Sequence, residues 1–292
     1  MAPQVGIVTE SVATVPPADV RRLGIEVVPL PVLFGAEEHL DGADLPADEF
    51  YRRMLEDGAA PTTAAPSPGA YADAVGRAVA AGADEVVVLT LSSTLSAAHE
   101  AARAGTAGAP VPVHVVDTGT AAAAQGIVVR YCAELAAAGA PAAKAAAAAQ
   151  RLSRHVGLYA VIPTLTYLRR GGRIGRLQGF AGERLGIKPL VTLRHGEVGA
   201  QGVVRSMEGA FARMVQLVRR AADGAAALEL VVTHGGAPAD AERLAGLLEG
   251  VPRRRPLDVV PFTPVMGAHT GPGVVGVAYG AFPPGLDLPP VA

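Results

Sequence analysis

Through the first half of the chain, short runs of β-branched and aliphatic residues alternate with longer alanine-rich stretches of helical length. No other feature constrains the fold as tightly. Val5–Val8, Glu26–Leu33, Val86–Leu91 and Val113–Val116 are strand candidates, and Ala47–Leu55, Gly69–Ala81, Ser96–Ala104 and Ala121–Ala138 are helix candidates. Strands separated by helices can return parallel to one another, so this half is expected to form an open, mainly parallel sheet with flanking helices, an α/β arrangement. The alanine run Ala142–Ala149, broken only by Lys144, continues as helix to about Arg154, because alanine has the highest helix propensity.

From Gly157 the texture changes. A short apolar strand, Leu158–Ile162, leads through Leu165–Arg170 into the glycine pair Gly171-Gly172 and a basic, helix-like segment. Strand candidates follow at Pro189–Leu193, Val198–Arg205, Glu229–His234, Val259–Phe262 and Val274–Tyr279, with only Met207–Ala222 and Asp240–Leu248 as intervening helices. Sequential strands with fewer helices predict a C-terminal α+β domain, so two domains are expected, 1–155 and 156–292. The length of 292 residues agrees, since single cores rarely grow much past ~250 residues.

Composition removes several function classes. Half of the residues are hydrophobic and 18% charged, the opposite of a disordered chain. Lys+Arg 25 against Asp+Glu 27 leaves a net charge of −2 and no global positive field for a polyphosphate backbone. With no Trp and six each of Tyr and Phe, base-stacking platforms are also scarce, so no nucleic-acid partner is expected. The one cysteine, Cys132, excludes an intramolecular disulfide and a cysteine-cluster metal site. Mean hydropathy is +0.32, carried mainly by alanine, without a stretch of ~18 strongly apolar residues; stable membrane insertion is not expected. The N-terminal residues lack a basic region followed by an apolar one, which points to the cytoplasm.

Familiar catalytic motifs are missing. There is no G-x-x-x-x-G-K-[ST], and the only lysines are Lys144 and Lys188. Gly271-Pro272-Gly273-Val274-Val275-Gly276 fits G-x-G-x-x-G, but a dinucleotide site needs a helix and an acidic residue about 20 positions further on, beyond Ala292. These glycines are read instead as points of close backbone approach.

Four segments hold polar residues that loop composition explains poorly. Pro61-Thr62-Thr63-Ala64-Ala65-Pro66 is a proline-bracketed turn, and Leu91-Ser92-Ser93-Thr94-Leu95-Ser96 closes an apolar strand and opens a helix. One of those hydroxyls serves as an ordinary N-cap; the others, with backbone N–H groups at a helix start, can seat an anion such as a carboxylate. The third segment, Thr263 to Gly273, keeps His269 among small neighbours that leave its ring accessible. In the fourth, six basic residues between Arg169 and Lys188 face one acidic residue, Glu183. A solvated face is the plain explanation; a docking or phosphate-facing patch built on Arg169, Arg170 and Arg173 is the sharper one.

At these segments the chain resembles the DegV family, the bacterial fatty-acid-binding proteins that serve as the lipid-presenting subunit of fatty acid kinase. The match runs nearly end to end, through Val8-Thr9-Glu10-Ser11, Asp41-Gly42-Ala43-Asp44, Thr63 to Pro68, Leu91 to Ser96, Val116-Asp117-Thr118, Leu168 to Ile174, Ile187-Lys188-Pro189 and Ala268-His269-Thr270-Gly271. The resemblance implies one long-chain fatty acid buried between two domains, its carboxylate held by Thr63, Ser96 and His269. It also implies a separate ATP-dependent kinase that phosphorylates the carboxylate, with no nucleotide site, cofactor or metal in this chain. Several polar neighbours of the family pattern are alanine here, notably Ala64, Ala65, Ala97 and Ala98, and His99 stands where an aromatic is usual. Two rival readings remain at this stage: an acyl ester hydrolase using Ser96 and His269, and a lipid carrier that needs no kinase.

Overall fold

A computed structural model describes residues 3–56, 58, 60–177 and 187–291. In chain order the first part contains β1 (Val5–Glu10), α1 (Pro17–Leu23), β2 (Ile25–Val28), β3 (Pro31–Phe34), β4 (Glu37–Leu40), α2 (Ala47–Glu56), β5 (Thr62–Thr63), α3 (Pro68–Ala80), β6 (Glu85–Thr90), α4 (Ala98–Thr106), β7 (Val113–Asp117), α5 (Ala122–Ala137) and α6 (Ala142–Ser153). The second contains β8 (Val156–Val161), α7 (Thr166–Arg170), β9 (Lys188–Arg194), β10 (Glu197–Val204), α8 (Met207–Ala221), β11 (Ala227–His234), α9 (Pro238–Leu248), β12 (Asp258–Pro261), α10 (Pro264–Thr270) and β13 (Val275–Phe282).

Continuous apolar strands need cover on both faces, and the first sheet has it. Its order is β2-β1-β6-β7, every pair parallel, and Val86, Val87, Val88 and Leu89 are completely buried. The second sheet, β10-β9-β8-β13-β11-β12, is antiparallel except for β11 with β12. Along β8 the side chains alternate with period two: Leu158 and Ala160 face the core shared with the first sheet, while Tyr159 and Val161 face α8 and α9.

Helix α5 joins the two layers. A helix apolar all round has no face to give to water. From Ala122 to Leu135 every residue of α5 is buried, and the helix packs on β1 and on β8, β11 and β13. Gly126 allows the closest contact, since a Cβ there would lie 2.4 Å from the Ala13 carbonyl oxygen. Where α5 carries charge, the charge is matched. Arg130, 1% exposed, reaches Asp258 at 2.6 Å, Asp19 at 3.3 Å and Glu229 at 3.4 Å. One turn on, Glu134 accepts from Arg255.

Three expectations are corrected. The strand expected over Glu26–Leu33 is two strands in different sheets: β2 ends at Val28, and β3 opens a small antiparallel sheet, β4-β3-β5. Pro29 interrupts hydrogen bonding where the chain changes sheets. The segment Thr263 to Gly273 is not a plain loop; Pro264 begins α10 at its first helical position, where a missing N–H costs nothing. Helix α4 starts at Ala98, two residues after Ser96. As for the close-approach glycines, a Cβ on Gly276 would sit 2.7 Å from the Tyr159 carbonyl oxygen, so glycine lets β13 lie against β8 there.

Candidate functional site

The parallel sheet ends its strands at one edge, and the polar loops collect there. After β6 the chain turns through Ser92 to Ala97. Two of its hydroxyls are structural: Ser92 Oγ pairs with Thr94 Oγ1 at 2.9 Å, and Thr94 Oγ1 donates to the Gly196 carbonyl at 2.5 Å. Gly196 forms the tip of the β9–β10 hairpin at φ +74°, and a Cβ there would meet Ser92 Oγ and Thr94 Oγ1 at 2.5 Å each. The hairpin tip is thereby pinned to the loop. Ser96 Oγ accepts the Ala98 N–H at 3.2 Å at the start of α4, and its side chain borders a cavity.

That cavity, about 220 Å³, lies between the two sheets and far exceeds the ~10–15 Å³ that admits one water. Its walls are mostly apolar, with Leu91 from the first sheet, Leu158, Ala160 and Val191 from the second, and Leu168 and Phe262 between them. Besides Thr192 and Thr270, four polar residues line it: Thr63, Ser96, His269 and Arg173.

These four form one corner. Thr63, on β5, and His269, in the last turn of α10, share a 2.8 Å hydrogen bond between Oγ1 and Nε2. His269 Nδ1 lies over Gly171, where a Cβ would be 2.3 Å away. Arg173 then ties the Gly171 turn to the other loop, donating Nη1–H to the Gly171 carbonyl at 2.5 Å and Nε–H to the Leu95 carbonyl at 3.0 Å, next to Ser96. Burial, reinforced by the Arg173 charge, pushes His269 down to about 4, so the imidazole is neutral at pH 7 and keeps one N–H to donate. Buried Nδ1 has no hydrogen-bond partner among the described residues.

Thr63, Ser96 and His269 therefore border the same cavity, and Arg173 joins them rather than its basic neighbours. Arg169 and Arg170 are exposed on the last turn of α7 and do not line the cavity; Arg184 lies outside the described residues. A second, more polar cleft adjoins the corner, lined by Ser93, Thr94, Gly172, Arg173, Arg176 and Glu197. No hydrogen bond joins Ser96 to His269 among the described residues, so the nucleophile–base contact of a hydrolase is not formed. His99, without an assigned role, shares a 2.9 Å hydrogen bond with Thr90 Oγ1.

Two buried carboxyls escaped sequence reasoning. Glu10, at the end of β1, accepts from Tyr71 Oη at 2.7 Å, Gln125 Nε2 at 2.7 Å and Leu91 N–H at 3.1 Å, and complete burial raises it to about 7. Asp41 accepts from Ser11 Oγ at 2.7 Å, and burial raises it to about 6. The signal for Glu10 was an acidic residue at an apolar strand end, which does not reveal its partners; Asp41 follows the polar strand β4 and carried no such signal. No group of three or more His, Cys, Asp or Glu suited to a metal occurs among the described residues, and no described helix is long and apolar enough to cross a membrane.

The chain belongs to the DegV family: the model of this family, described as uncharacterised protein, DegV family, matches residues 4–281. A DegV domain-containing protein of Streptomyces coelicolor is 38% identical over 278 residues, covering 95% of this chain and 98% of the relative. Among solved structures, a fatty-acid-binding DegV family protein from Thermus thermophilus superposes with a TM-score of 0.88 at 31% identity, covering 96% of this chain and 100% of its own. A DegV lipid-binding protein from Thermotoga maritima gives 0.85 at 25% identity, with 95% and 98% covered.

Proposed function

We propose that this protein binds one long-chain fatty acid in the cavity between its sheets and, in the cytoplasm, presents the carboxylate to a separate ATP-dependent kinase. The observation that carries the reading is an apolar cavity closed by one polar corner of Thr63, Ser96, His269 and Arg173. Each buried methylene contributes about 0.8 kcal/mol, so the tail supplies affinity and the corner supplies orientation. A carboxylate removed from water needs donors, and the Ser96 hydroxyl, the Arg173 guanidinium and the one O–H or N–H that the shared Thr63–His269 bond leaves free are of the right kind. The fatty-acid binding of the Thermus thermophilus relative supports the same ligand class.

In the phosphoryl step, a carboxylate oxygen attacks the γ-phosphorus of ATP, the bond to the bridging oxygen breaks, and acyl phosphate and ADP result. The carboxylate is already a nucleophile, so the chain contributes positioning, while the partner brings nucleotide and Mg²⁺. Arg173, shared by the cavity and the polar cleft, suits the phosphate-facing role, and the exposed Arg169 and Arg170 suit a docking role.

Native mass spectrometry of the purified protein, followed by lipid extraction, tests the binding reading. About one fatty acid per chain is expected; a protein that is empty and takes up no added fatty acid overturns it. For the kinase step, Arg169→Glu with Arg170→Glu should suppress acyl phosphate formation at unchanged lipid occupancy. Unaltered acyl phosphate formation would remove the docking role of the two arginines, and none from the wild-type protein would leave a carrier that needs no kinase.

A further inference from the structure

The loop that carries Ser96 begins where β6 ends. Leu91, the first residue beyond that strand, sends its N–H to a side chain, and Glu10 Oε2 accepts it at 3.1 Å. The next donor, Ser92 N–H, goes to the carbonyl of Thr120 at 2.8 Å, just before α5. The chain then folds back on this base, the Leu95 and Ser96 N–H groups both donating to the Ser92 carbonyl, at 3.0 and 3.2 Å. Where Ser96 stands is therefore set from the Leu91–Ser92 base, while the Thr94 contact with Gly196 holds the tip.

Glu10 is itself firmly held. It ends β1 at 1% exposure, and besides the Leu91 N–H its carboxyl takes Tyr71 Oη of α3 on Oε1 at 2.7 Å and Gln125 Nε2 of α5 on Oε2 at 2.7 Å. None of these three partners is charged. The carboxyl lies behind the cavity wall: Val12, two residues after it, Leu91, which it bonds, and Ala121, one turn before Gln125, all line the cavity. A buried N–H left without an acceptor costs more than the bond itself returns, so the loop base stays where Glu10 can receive it.

We propose that Glu10 is a positioning residue for the head-group corner: by accepting the Leu91 N–H it fixes the base of the Leu91–Ser96 loop and so the placement of the Ser96 hydroxyl. The proposal rests on the reading that Ser96 meets a fatty-acid carboxylate. Glu10 does not line the cavity and acts through the loop alone.

A double-mutant cycle separates this role from a general loss of stability. Glu10→Met keeps the length of the side chain and removes the acceptor; it should weaken fatty-acid binding by roughly tenfold, the scale of one lost hydrogen bond at the head group, and change little in a Ser96→Ala background. Glu10→Gln should recover most of that loss, because its amide oxygen can still accept the Leu91 N–H while its NH₂ donates to Tyr71 Oη, a hydroxyl that accepts as well as donates. Equal losses from Glu10→Met in both backgrounds, or a Glu10→Gln protein that binds no better than Glu10→Met, would overturn the proposal. If Glu10→Met does not fold, ¹⁵N NMR of the ligand-free wild type decides: as pH is varied, the Leu91 and Ser96 amide resonances should titrate with one shared midpoint, and both should stay still in Glu10→Gln. A Ser96 amide that does not follow that midpoint in the wild type would overturn it. Wild-type protein that binds no fatty acid would instead refute the function the proposal rests on, and the paired amide titration would still decide whether Glu10 sets the loop.

Discussion

Thr63 and His269, 206 positions apart in the chain, share a 2.8 Å hydrogen bond at the polar corner of the cavity. The two side chains form one hydrogen-bonded unit, not two independent contacts. Thr63→Val and His269→Ala should each weaken fatty-acid binding by about 1–3 kcal/mol, and the double variant by less than the sum. Calorimetric titration of the four proteins checks this; full additivity would mean that the pair does not act as one unit.

Gly171 offers a sharper probe of the same ring. Its φ of −74° is open to any residue, so alanine brings no backbone strain, yet the added Cβ would fall 2.3 Å from His269 Nδ1. Gly171→Ala should therefore reproduce much of the binding defect of His269→Ala while leaving the melting temperature nearly unchanged. A normal affinity would show that the ring has room to move.

The buried carboxyl of Glu10 gives the protein a pH dependence with a definite sign. Its folded value of about 7 lies above the ordinary 4.5, so the folded state holds this proton more tightly than the unfolded chain does. Stability from this group is complete below pH 4.5 and is lost as pH rises through about 7. His269, at about 4 against 6.5, works the other way: its contribution is present above pH 6.5 and is lost as pH falls towards 4. Urea unfolding across this range should show the Glu10 component vanish in Glu10→Gln and the His269 component vanish in His269→Ala.

Arg130 tests the ionic contacts between the layers. Removing one partner from a buried cluster leaves uncompensated charge, so Arg130→Ala should destabilise the fold by about 3–5 kcal/mol through Asp19, Glu229 and Asp258. Protein that remains folded should bind lipid with unchanged affinity, since Arg130 does not line the cavity. Thermal unfolding and lipid titration read the two effects separately.

Much of the fold was legible because burial writes itself into composition. Val86 to Leu89 could only be a strand covered on both faces, and the run from Ala122 to Leu135 could only be a helix with neighbours all round. Strand β4 was not legible: Glu37, Glu38 and His39 are solvent-facing residues with no apolar alternation to betray a strand. Helix α10 hid behind Gly267, although Pro264 at its first position was a usable sign. In the site, the hydroxyl loops and His269 stood out as polar residues among small neighbours. Arg173 could not be told from Arg169 and Arg170, because a run of arginines does not say which one the next turn points inward. Asp41 was equally hidden, since Ser11, whose hydroxyl it accepts from, lies 30 positions away.

Helix α5 carries a consequence for how the molecule opens. Its fourteen-residue stretch from Ala122 to Leu135 is core to both sheets at once, so parting the sheets would strip a whole helix of cover instead of flexing a linker. Sheets that share their interior in this way should unfold together in one transition.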